Sequence, residues 1–208
     1  MSDGASISYD SRGWARTICQ QFVVSQYLNP DWLNQARIRF QSNSALPVDD
    51  WAAVHAFDRG SYATFLGLTI SNEALVVYAI GDTVLFVLAP DGQVTMLPKI
   101  KASDFGNDPV LLCSRSDRGA FADTDEAFEN AKRTKKVPSG GWGGTRLIAL
   151  TDALAEWVVG SEDAAEQMKR LNEIDGHRSQ GSFAVWAGGI IAAGDVRRDD
   201  CAALMISL

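Results

Sequence analysis

Aspartate recurs at the edges of the chain's apolar stretches. Asp3 precedes Gly4, Asp82 follows Gly81, Asp152 follows the run 147–151, and Asp199 stands just ahead of the run 201–208. A carboxylate is costly to bury unpaired. Three such acids gathered at one sheet end would repel one another unless a cation sat between them. An all-oxygen carboxylate site selects magnesium, manganese or calcium rather than zinc. Other chemistries are poorly supplied. There are two histidines, His55 and His177, and three scattered cysteines, Cys19, Cys113 and Cys201, with no CxxC pair. No G-x-S-x-G elbow, Walker motif or dinucleotide fingerprint is present. The glycine-rich stretch 139–145 (SGGWGGT) leads into an apolar run rather than a helix, which argues against a phosphate cradle.

The elements that must position these acids follow from periodicity. In RLIALTDALAEWV (146–158), a continuous apolar run reads as a buried strand. Leu154, Trp157 and Val158 then fall on one side of a helix packed on it. Asp152 stands where strand gives way to helix, either as a capping residue or as an acid facing a cleft. Upstream, Asp3-Gly4 reads as a turn. Trp14, Ile18, Phe22 and Val23 give residues 11–27 a helical stripe with Ser11 as N-cap. Asn29-Pro30 opens a second helix carrying Trp32, Leu33, Ala36 and Phe40. Pro47, Asp49 and Asp50 precede a third helix, which runs through His55 and ends at Arg59-Gly60. His55 reads as a surface residue of that helix. Runs 62–70, 74–80, 84–88 and 93–97, punctuated by turn residues, read as an antiparallel meander. Residues 98–144 read as loop with one helix near 125–133. The basic cluster Lys132, Arg133, Lys135 and Lys136 is taken as solvated loop. Ser161 caps a helix carrying Met168 and Leu171, a further helix covers 183–191, and a last strand covers 201–208. Trp14, Trp32, Trp51, Trp157 and Trp186 are assigned to the core. The sum is a layered α+β protein.

Composition narrows the function. A net charge of −7 argues against a nucleic-acid or anionic-membrane surface. No run of 18 apolar residues suggests a membrane span, and the first residues lack the build of a signal peptide. Unpaired cysteines read as reduced core thiols of a cytoplasmic protein.

Five motifs in order carry a resemblance: SDGAS at 2–6, RGSYATFLGL at 59–68, AIGDTVLFVL at 79–88, LIALTDALAEWV at 147–158 and RRDDCAALMI at 197–206. Together they resemble the metal-dependent Ser/Thr protein phosphatases, the PPM or type 2C family, in a compact bacterial branch associated with signalling. The resemblance implies a single phosphatase-like domain over 1–208. Its fold would be a four-layer α-β-β-α sandwich of two antiparallel sheets flanked by helices. It also implies two Mn2+ or Mg2+ ions held by Asp3, the carbonyl of Gly4, Asp152 and Asp199. Asp200 would support the loop, and Gly81 and Asp82 would form a structural turn. A water shared by the two cations would attack phosphoserine or phosphothreonine in a phosphoprotein, with a cognate Ser/Thr kinase as a further partner.

The sequence also departs from the family. The family's opening strand, with another acidic ligand and often a phosphate-binding arginine, has no counterpart ahead of Asp3. Either the true start lies further upstream or this is a degraded relative. The second case implies a catalytically weak or silent domain that binds a kinase or phosphoprotein. The family's D-G-H-G-G is D-G-A-S here, so Ala5 stands where a proton donor would be, and S-D-G has become Thr151-Asp152-Ala153.

Overall fold

The computed structural model describes residues 1–5, 8–44, 51–98, 101, 103, 105, 109–119, 125–138, 142–175 and 180–208. Its helices are α1 (Ser11–Ser25), α2 (Pro30–Asn43), α3 (Trp51–Arg59), α4 (Asp125–Ala131), α5 (Asp152–Val159), α6 (Ala164–Asp175) and α7 (Gln180–Ala193). Its strands are β1 (Tyr62–Ala63), β2 (Phe65–Ile70), β3 (Ala74–Ile80), β4 (Val84–Leu88), β5 (Val94–Leu97), β6 (Leu112–Cys113), β7 (Arg133–Pro138), β8 (Arg146–Leu150) and β9 (Ala203–Ser207). Contacts divide the chain into two compact units, Met1–Thr83 with Asp108–Ser139, and Val84–Asn107 with Gly140–Leu208. The architecture is α+β, and all the strand pairs are antiparallel.

In the first unit, helices pack on the three-stranded sheet β2-β3-β7. The stripe of α1 (Trp14, Ile18, Phe22) and that of α2 (Trp32, Leu33, Ala36, Phe40) meet Phe65 and Ile80 from the sheet. Trp32 and Phe65 rings lie 5.0 Å apart, and Trp14 sits edge-on to Phe40 at 5.4 Å. Asn29 caps α2 by accepting from the Trp32 amide, with Pro30 at the first position. In the second unit the sheet order is β5-β4-β8-β9. β8 is paired on both sides, and its residues Leu147–Leu150 are fully buried. Leu154 and Val158 of α5 and Met168 and Leu171 of α6 form a core with Phe86, Ile148 and Leu150. Among the described residues no helix is long and apolar enough to cross a membrane.

Several expectations change. Asp10, not Ser11, caps α1 through the Gly13 amide, and Val23 faces solvent at 74% exposure. Asp163 rather than Ser161 accepts from the first turn of α6, at the Glu166 amide. The run 62–70 is broken at Thr64 into β1 and β2. The meander is not continuous: β3 pairs with β2 and β7, while β4 belongs to the other sheet. The basic cluster is no loop. Lys132 ends the α4 turn, and Arg133, Lys135 and Lys136 lie on β7, which pairs with β3. Lysines on an edge strand discourage pairing with another chain, so charge there does not signal loop. The short strand β6 falls in the same stretch and pairs with β1. Helix α7 runs through Gly188 and Gly189. Trp51 is 75% exposed and not core. Cys113 is buried, whereas Cys19 and Cys201 are half-exposed. The expectations on Pro47, Asp49, Asp50 and His177 lie outside the described residues.

The chain leaves β3 through Gly81, whose φ of 94° favours glycine, and a Cβ there would approach Thr64 Cγ2 to 2.8 Å. Both backbone and packing oppose a side chain. Gly81→Ala is expected to lower unfolding stability by about 1–3 kcal/mol, read as a lower midpoint with unchanged slope in urea denaturation.

Candidate functional site

The second unit brings two of the sequence-predicted acids together. The β8–β9 register runs from Arg146↔Ser207 to Leu150↔Ala203, and the Thr151 amide extends it by donating to the Ala202 carbonyl at 3.1 Å. Thr151 is the N-cap residue of α5, but its hydroxyl makes no capping bond. That hydroxyl instead accepts from the Ala202 amide at 3.0 Å and reaches the Asp200 carbonyl at 3.3 Å. The segment ahead of β9 is thereby tied to the start of α5. Asp152 occupies the first turn of α5, where the helix dipole favours a negative charge.

The two carboxylates are held in the same way. Asp152 Oδ1 accepts from the Ala153 amide at 2.7 Å, and Asp199 Oδ1 accepts from the Asp200 amide at 2.9 Å. Both Oδ2 atoms turn to one nitrogen, Nη2 of Arg197, which donates to Asp152 and lies 3.4 Å from Asp199. Arg197 Nη1 lies 3.5 Å from Glu156 Oε2. The side chains of Asp152 and Arg197 are 18% and 33% exposed and those of Glu156 and Asp199 38% and 41%, so water screens the Asp152–Arg197 pair in part and the other two acids more fully. Three carboxylates face one guanidinium, an excess of two negative charges. A cleft of about 470 Å³ adjoins them, lined by Glu156, Trp157, Ser161, Gln167, Asp195 and Arg197 among others.

The donors suit a hard divalent cation. The two Oδ2 atoms converge without sulfur or imidazole, and Arg197 Nη2 stands where a cation would balance them. Among the described residues, no three His, Cys, Asp or Glu side chains are arranged to hold a metal ion. What converges here is a pair. Asp200 is exposed, its carbonyl lies 3.3 Å from the Thr151 hydroxyl and its amide donates to Asp199 Oδ1.

Asp3, Gly4, Gly81 and Asp82 belong to the first unit. Asp3-Gly4 is no turn. Residues 1–5 run beside 62–66 with strand-like bonds: Met1 and Leu66 exchange two, Asp3 carbonyl accepts from the Thr64 amide at 2.8 Å, and the Ala5 amide donates to Tyr62. The Thr64 hydroxyl accepts from the Asp3 amide at 3.1 Å and shares a hydrogen bond with the Thr83 hydroxyl at 2.7 Å. Asp3 is thus fixed by its backbone. A Cβ on Gly4 would lie 2.8 Å from Ser11 Cβ, so glycine there lets α1 start against this segment. Asp82, next to Gly81, is buried.

Two participants, Arg197 and Glu156, were not singled out from the sequence. Glu156 lies one helical turn after Asp152, and Arg197 lies two residues before Asp199. The i, i+4 spacing was the available signal for Glu156. His55 is exposed and packs edge-on to Trp51, as expected for a surface residue.

No protein-family model and no curated protein sequence matches the chain. Among solved structures it is similar to a serine-threonine phosphatase 2C from Toxoplasma gondii, with a TM-score of 0.53 at 12% identity over 98% of this chain and 82% of that one. It is also similar to the photosystem II phosphatase PBCP, at 0.45 and 14% identity over 83% of this chain and 64% of that one, so it spans less than two thirds of that protein. A third similar structure is the catalytic domain of the serine threonine protein phosphatase PstP in complex with two manganese ions, at 0.40 and 13% identity over 83% and 77%. The Toxoplasma likeness establishes a shared fold, and the other two add no weight to it.

The Thr64 hydroxyl, between β1 and β2, accepts from the Asp3 amide. Thr64→Val removes this bond and leaves the Thr83 hydroxyl short of a partner. The expected cost is about 1–3 kcal/mol, measured by chemical denaturation, with faster hydrogen exchange at the Asp3 amide.

Proposed function

We propose that this chain, which has the fold of the PPM or type 2C protein phosphatases, is a metal-dependent phosphatase that hydrolyses phosphoserine and phosphothreonine in proteins. The observation that carries this reading is the convergence of Asp152 Oδ2 and Asp199 Oδ2 on one cationic nitrogen. Divalent cations at such a site supply Lewis acidity, which lowers the pKa of water and offsets charge on a phosphoryl group in its transition state.

The chain's own residues do the holding. The amides of Ala153 and Asp200 take one oxygen of each acid and so orient the other toward the cation position. Thr151 fixes the spacing between the start of α5 and the segment bearing Asp199 and Asp200. The family resemblance adds Asp3 and the Gly4 carbonyl to the ligand set we propose, with Mn2+ or Mg2+ as the ions. It also supplies the phosphoprotein substrate, a cognate Ser/Thr kinase and the reading of 1–208 as one domain.

One observation favours a second reading. Arg197 already gives Asp152 and Asp199 a cationic partner, as in a silent domain that binds a kinase or phosphoprotein without turnover.

Hydrolysis of p-nitrophenyl phosphate with and without Mn2+ separates the two. Turnover is expected to require the metal. Asp152→Asn is expected to lower it by more than the ~10–100-fold that loss of an outer-shell partner costs. Absence of turnover in Mn2+ and Mg2+, with no metal-dependent rise in Tm, would leave the silent reading standing.

A further inference from the structure

We propose that Arg197 is a built-in competitor for the cation position at Asp152 and Asp199, and that it sets how tightly this chain binds a divalent metal. The inference rests on the metal-dependent reading above. It goes further, because it assigns a function to a residue for which that reading has no use.

The geometry makes occupation mutually exclusive. Nη2 of Arg197 engages the same Oδ2 atoms that a metal would take, while each Oδ1 already accepts one backbone amide. A guanidinium keeps its charge at any working pH. A dication arriving beside it would meet both a filled ligand and a like charge. The metal therefore binds only as the guanidinium leaves.

The structure also supplies a place for it to go. Arg197 lines the 470 Å³ cleft together with Glu156 and Gln167. Glu156 Oε2 already lies 3.5 Å from Nη1 and would tether the departing group. Gln167 Oε1 is buried without a hydrogen-bond partner, and Arg197 Nε is likewise buried and unpaired. An unsatisfied acceptor and an unsatisfied donor lining one cleft are costly separately. Rotation of Arg197 away from the acids and toward α6 brings donor and acceptor chemistry together. The guanidinium thus has two positions, one on Asp152 and Asp199 and one on Glu156 and Gln167, and the metal selects the second.

Isothermal titration of the full chain with Mn2+ tests this, using wild type, Arg197→Gln and Arg197→Lys. Arg197→Gln removes the competing charge. It is expected to bind Mn2+ at least about tenfold more tightly, equivalent to ~1.4 kcal/mol. Arg197→Lys keeps the charge without the forked geometry and is expected to fall between the two. Without metal, Arg197→Gln is expected to melt below wild type, because three carboxylates lose their counter-charge, and to gain more in Tm when Mn2+ is added. A purely structural Arg197 would lower the melting temperature and leave Mn2+ affinity unchanged or weakened, which overturns the proposal while the phosphatase reading survives. Mn2+ binding by none of the three proteins overturns both together.

Discussion

The pairing of β8 with β9 is the constraint on which the candidate site depends. Asp152 follows one strand and Asp199 precedes the other, so their separation is set by register rather than by contact between their own side chains. A slip of one residue would move one acid relative to the other by about 3.3 Å. It would also turn a buried strand inside out. The register is protected because β8 is held on both edges, by β4 and by β9, and because Thr151 spends its hydroxyl on the neighbouring segment instead of capping its own helix. A residue that looks replaceable by any N-cap serine or asparagine therefore acts as a clasp. The β-branched threonine keeps its side chain in few rotamers, which suits that use.

Electrostatics then explains why the acids are not left bare. Asp152 is partly buried and Asp199 exposed, each has one oxygen held by a backbone amide, and a third acid, Glu156, joins from one turn along α5. Something positive must stand among them. In this chain the nearest positive group is covalently attached. That separates the site from a simple cradle waiting for an ion, and it makes the charge state of the cluster a property of the fold.

Much of the fold was legible in the sequence because its signals are local. The stripes of α1 and α2, the Asn29-Pro30 start and the unbroken apolar run of β8 each follow from residues within one element. The points that were misread are those where a distant partner decides. Nothing within 62–70 announces that Thr64 must break the strand; its backbone is claimed by residues 1–5. Lys135 and Lys136 look like loop until β3 supplies the ladder they join. Trp51 carries the hydrophobic payload of a core residue but faces solvent. The site divides along the same line. Asp152 and Asp199 stood out as acids at element edges, but their proposed role as ligands came from the family resemblance; the turn at Gly81-Asp82 was read from its composition. Arg197 was missed because a cation two residues from an acid on an exposed stretch usually means solvation, and only the closed geometry reveals what it touches.

Gly4 carries a consequence beyond its own turn of chain. With no Cβ, it lets the first residue of α1 press against the segment that fixes Asp3. The seating of a core helix and the placement of a candidate ligand are therefore one variable. Over evolutionary time, the small residues at positions 4 and 11 are expected to drift as a pair. A change in bulk at either, tolerable in an ordinary helix start, would be felt as a displaced Asp3 carboxylate.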